Sequence, residues 1–108
     1  MIRPGVAAAL MGACVLGLGL ASTAFAGDVE RGERISSSCI ACHGPGGNSH
    51  IPAMYPSLAG QDVDTLASML EQYRSGEIQD PQMTPQAAHL TDEDIADLAA
   101  YFAGQEPK

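Results

Sequence analysis

The chain has 108 residues, with 13 Asp and Glu against five Lys and Arg, three cysteines, no tryptophan and a formal charge of −8. So acidic a composition excludes nucleic acid as a partner, because phosphate binding needs Lys and Arg gathered on one face. The length suits one domain, and neither a repeat nor a low-complexity tract breaks it.

Residues 1–26 have the layout of a secretory signal. Arg3 gives a positive start, Val6 to Ala21 is an apolar run rich in Ala, Gly and Leu, and Ala24-Phe25-Ala26 is a small-residue cleavage site. The rival is an uncleaved anchor, since residues 4–27 are uncharged and long enough to span a bilayer. Met11-Gly12-Ala13-Cys14 is a poor lipobox, and Cys14 reads as a small apolar residue of the signal. Cleavage sends residues 27–108 to the periplasm without membrane insertion, as 82 residues with four basic and 13 acidic side chains, a charge of −9. A core of that size is marginal without a staple.

Asp28 caps a first helix predicted to run to about Ser38, with Val29, Gly32 and Ile35 along its inner side. Gly32 is costly within a helix and marks a place where another backbone or ring packs close. Next stands Cys39-Ile40-Ala41-Cys42-His43. This is the C-x-x-C-H spacing of covalent haem c attachment, in which two thiols each add to a vinyl group and the adjoining imidazole becomes the proximal iron ligand. Two rivals use the same residue types. A structural zinc site needs four ligands, and no second pair joins Cys14, His50 and His89; a thioredoxin-like pair needs a strand before Cys39, where Ile35-Ser36-Ser37-Ser38 is not one.

Gly44 to Gly60 is a Gly- and Pro-rich loop, irregular chain wrapped around something other than its own secondary structure. Asp62 or Asp64 then starts a middle helix with Val63, Leu66, Ala67, Leu70 and Tyr73 on one face, and Gly76 stops it. Glu77 to Pro85 is irregular, with a helical turn expected around Gln86 to His89. Thr91-Asp92-Glu93-Asp94 is a capping box, and Ile95, Leu98, Ala99 and Phe102 form the face of a last helix ended by Gly104 and Pro107.

Residues 27–104 resemble the small bacterial class I cytochromes c, in particular a single-haem type like one half of the periplasmic dihaem cytochromes. The resemblance rests on Gly27-Asp28 with Gly32, Cys39 to Gly44, Tyr55 to Gln61, Tyr73 to Glu77, Met83-Thr84-Pro85 and Leu90 to Phe102. It implies an all-α class I cytochrome c fold, three to four helices and long loops around one haem c bound through Cys39 and Cys42. The first and last helices would cross, with Tyr101 approaching Gly32; Ser36, where relatives carry a larger residue, implies a looser crossing. Pro56 would offer its carbonyl to His43, Leu58 would pack on the haem, and Tyr73 or Arg74 would reach a propionate, Arg74 reading equally well as a surface charge.

The family's pattern also places the distal ligand at Met83, a soft neutral thioether suited to electron transfer; Met54, Met69, His50 and His89 are its competitors. The expected function is that of a periplasmic one-electron carrier, not an enzyme, a monomer or a subunit of a redox complex. Its redox partner would present a basic docking face to acids such as Asp62, Asp64, Glu77 and Asp80. The alternatives are a haem subunit of an oxidoreductase and, with an open sixth position, a haem enzyme or gas sensor.

Overall fold

The computed structural model describes residues 26–108, so the signal read at 1–26 lies, but for Ala26, outside the described residues. Five helices follow in order: α1 (Val29–Ile35), α2 (Ser37–His43), α3 (Val63–Ser75), α4 (Met83–Ala87) and α5 (Asp92–Ala103), with a 3₁₀ turn at Pro45–Gly47. No strand occurs among the described residues, and no helix there is long and apolar enough to cross a membrane.

Asp28 caps α1 by accepting the N–H of Arg31 at 3.1 Å. The helix expected to reach Ser38 instead ends at Ile35. Ser36 is buried, its hydroxyl donates to the Glu33 carbonyl at 2.8 Å, and its own carbonyl accepts from Cys39 and Ile40 to begin α2. A short polar side chain that satisfies the backbone locally makes such a break inexpensive. The C-x-x-C-H segment therefore occupies a helix of its own.

The broadest helix contact is between α1 and α5. A Cβ on Gly32 would lie 2.0 Å from the Asp97 carbonyl oxygen and 2.8 Å from Tyr101 Cβ, and one on Gly27 would lie 2.1 Å from the Ala96 oxygen. Two backbones thus touch, with Tyr101 at the contact as expected. Side chains fasten the same junction. Asp97, 1% exposed, accepts the N–H of Asp28 at 2.7 Å and the Arg31 guanidinium at 2.7 Å, while the other arm of Arg31 reaches Asp94 at 2.8 Å. Burial pushes the Asp97 carboxyl up, but the Asp28 N–H and Arg31 together hold it below the ordinary carboxylate value.

The core joins Leu66 of α3 to Leu98, Ala99, Tyr101 and Phe102 of α5. Asp62 caps α3 by accepting the Thr65 N–H at 2.9 Å, and Gly76 ends it at φ +82°. The predicted capping box of α5 is present, Thr91 and Asp94 each receiving the other's backbone N–H at 3.0 Å. The turn expected at Gln86–His89 is displaced to α4, because Asp80 accepts the N–H groups of Gln82 and Met83 and starts the helix early.

Candidate haem-binding site

His43 closes α2 and is 7% exposed. Its Nδ1 lies 2.7 Å from the carbonyl oxygen of Pro56. A carbonyl only accepts, so Nδ1 carries the proton and donates, leaving the Nε2 lone pair for a metal. The Tyr55 ring stands edge-on to the imidazole, with centroids 6.3 Å apart.

The 44–60 loop that brings Pro56 there is fastened from two sides. The Gly47 carbonyl accepts from Leu58 at 2.7 Å and from Ala59 at 3.2 Å; Gly47 itself has φ +82°, and a Cβ on it would meet the Phe102 ring at 2.8 Å. Only glycine satisfies both conditions. On the other side the Gly60 N–H donates to the Phe102 carbonyl at 3.0 Å, and Asn48 grips the tail, donating to the Glu106 carbonyl at 3.0 Å and accepting from the Lys108 N–H at 2.8 Å.

Cys39 and Cys42 are free thiols one helical turn apart on α2. Cys39 is half-buried against the core and Cys42 exposed; burial pushes the Cys39 thiol up, and a hydrogen bond involving Ser38 opposes this. Leu58 is half-buried against the same core. Met83 is half-buried at the first position of α4, its N–H donating to Asp80 Oδ1 at 2.8 Å. Its competitors lie further out: Met54 is 64% exposed, Met69 36%, and His50 and His89 are exposed.

The donor set fits a covalently held haem. Two unpaired thiols precede an imidazole with one nitrogen committed and the other free, and half-buried Cys39, Ile40, Leu58 and Leu70 pack against the same apolar core. Among the described residues no group of three or more His, Cys, Asp or Glu is arranged to hold a metal, and Cys14 lies outside them. Arg74 is committed elsewhere, to the Leu90 carbonyl at 3.2 Å and to Asp92 at 2.8 Å, and so ties α3 to α5. The structure thus draws Tyr55, Pro56 and His43 together, while Met83 comes from a separate element. The sequence carried a signal for neither the Asp80 cap nor the Asn48 grip, since each depends on chain brought back by a loop.

Comparison with known proteins gives concordant results. The family described as "Cytochrome C oxidase, cbb3-type, subunit III" matches residues 27–102. Cytochrome c-554(548) of Halomonas halodenitrificans is 45% identical over 84 residues, 75% of this chain and 100% of that protein. Cytochrome c4 of Pseudomonas aeruginosa is 40% identical over 90% of this chain and 48% of its own length. The crystal structure of reduced recombinant cytochrome c4 from Pseudomonas stutzeri superposes with a TM-score of 0.72 at 36% identity, over 77% of this chain and 48% of that one. The chain therefore spans about half the length of the cytochromes c4 that it matches.

Proposed function

The chain belongs to the cytochromes c, with the class I fold and covalently bound haem c, and on that premise we propose that it is a periplasmic single-haem carrier of one electron at a time. The observation that carries this reading is the buried His43 imidazole, aimed by the Pro56 carbonyl and directly following two free thiols. Cys39 and Cys42 tether the haem, His43 Nε2 and the Met83 thioether hold the iron, and Leu58 covers apolar surface beside it. Haem c supplies the iron that accepts and returns the electron. The chain's own task would be to keep both ligating side chains in place in either oxidation state, and the Pro56 hydrogen bond would do so for His43 by fixing its tautomer and raising its basicity. Residues 1–26 act as the export signal that brings 27–108 to the periplasm.

Met83→Ala tests the ligand assignment. Haem is expected to stay covalently attached, the sulfur-to-iron charge-transfer band of the oxidised protein to vanish, and the reduction potential to fall. Retention of that band in the variant would transfer the role to another methionine, Met54 first.

The distribution of charge bears on the partner. Residues 35–61 contain no Asp, Glu, Lys or Arg and expose Ile51 and Met54, so all 13 acids lie outside the segment that carries Cys39, Cys42 and His43. This arrangement favours a partner with a basic rim that draws the protein in and an apolar centre that docks. Asp64 and Glu77 are exposed and suit that role, whereas the Asp62 and Asp80 carboxylates are taken up by backbone N–H groups. Stopped-flow electron transfer with the isolated partner should slow as ionic strength rises and the Debye length contracts from about 30 Å at 0.01 M to about 8 Å at 0.15 M. A flat salt profile would leave the apolar segment as the whole of the docking surface.

The family match favours a second reading, since its description names an oxidase subunit. Under it the same haem site works within a larger redox complex, and co-purification of a stable larger chain from native periplasm decides between the two.

A further inference from the structure

α4 has five residues, too few to hold itself in shape, and its first residue is Met83. What fixes it is a closed set of bonds around Asp80. Asp80 Oδ1 accepts the N–H of Gln82 and the N–H of Met83, both at 2.8 Å. The Asp80 N–H donates to Thr84 Oγ1 at 2.8 Å, the Asp80 carbonyl accepts the Thr84 N–H at 3.0 Å, and the Thr84 hydroxyl donates to the Ile78 carbonyl at 3.3 Å. Gln82 at the head of the helix makes no side-chain cap. The Met83 backbone is thus located by one carboxylate three residues earlier and one hydroxyl one residue later.

We propose that Asp80 and Thr84 are positioning residues for the distal ligand: they hold the Met83 main chain where its thioether reaches the iron, and so set how readily that bond opens. The proposal rests on the reading of Met83 as the distal ligand. It concerns the geometry of hydrogen bonds to an oxygen acceptor, so Asp80→Asn, which keeps a side-chain oxygen at the same distance from the backbone, should preserve the function that Asp80→Ala removes.

The probe is imidazole titrated into the oxidised holoprotein, where it competes with the thioether. Loss of a side-chain cap is expected to raise the apparent imidazole affinity of Asp80→Ala about five- to tenfold and to weaken the charge-transfer band in proportion. Helical circular dichroism and covalent haem content should stay as in the parent, and Asp80→Asn should return both readouts to within about twofold of it. Thr84→Val, which removes the hydroxyl at nearly constant volume, should move both readouts in the same direction and decides the matter should Asp80→Ala fail to mature. Parental imidazole affinity in Asp80→Ala and Thr84→Val, beside a Met83→Ala protein that has lost the band, would overturn the positioning role and leave the ligand assignment intact. A band that persists in Met83→Ala would overturn the ligand assignment itself.

Discussion

Replacing both Cys39 and Cys42 by Ala is expected to remove every covalent link between chain and haem, so that acidified acetone extracts the pigment completely and no haem-stained band survives denaturing electrophoresis. Each thiol supplies one thioether, and His43 alone leaves a coordination bond that acid breaks by protonating the imidazole. Either single change should leave one vinyl group unsaturated and move the reduced absorption bands toward longer wavelength. The double variant should also accumulate poorly, since a small domain with a core of Leu66, Leu98, Ala99, Tyr101 and Phe102 depends on its staple. A stained band of parental intensity from the double variant would sink the covalent assignment.

The second large effect is expected at Gly32. A Val there places Cβ 2.0 Å from the Asp97 carbonyl oxygen, well inside contact distance, and the obstacle is backbone in the middle of α5, which has no rotamer to give way. Separating the helices by the required amount also stretches the Asp28 and Arg31 bonds to Asp97. Overpacking of this kind costs about 3 kcal/mol or more, which for a domain of this size lowers the thermal midpoint on the order of 15 °C. Thermal unfolding of the holoprotein followed by far-ultraviolet circular dichroism measures it, and an unchanged midpoint would mean that α1 and α5 do not meet at that residue.

How much of this was legible in the sequence depended on the range of each interaction. The capping box at Thr91–Asp94, the Gly76 stop and the apolar face of α5 are local patterns with one physical solution, whereas the cap of α3 stays open between Asp62 and Asp64 until the structure shows Asp62. Gly32 announced a close approach because glycine is costly in a helix, although only the structure shows that the neighbour is the Asp97 carbonyl as well as Tyr101. Asp97 itself was illegible. An aspartate inside an apolar helix face reads as a solvated charge until Arg31, 66 residues away in sequence, is folded against it. The break at Ser36 was missed for the opposite reason: a run of serines satisfies either one long helix or two short ones, and the choice rests on a single hydroxyl bond to Glu33. Arg74 showed its sign and its place at a helix end, but not that Asp92 and the Leu90 carbonyl had already engaged it.

The crossing of α1 and α5 also sets an order of events in time. α1 and α2 have seven residues each, well short of the length at which a helix persists alone in water. The partner that steadies α1 begins only at Asp92, and the bonds to Asp97 span 66 and 69 positions. A chain emerging amino end first therefore presents Cys39, Cys42 and His43 on unsettled, accessible backbone until α5 has followed. The thiols thus stay accessible to a porphyrin until α5 packs against α1.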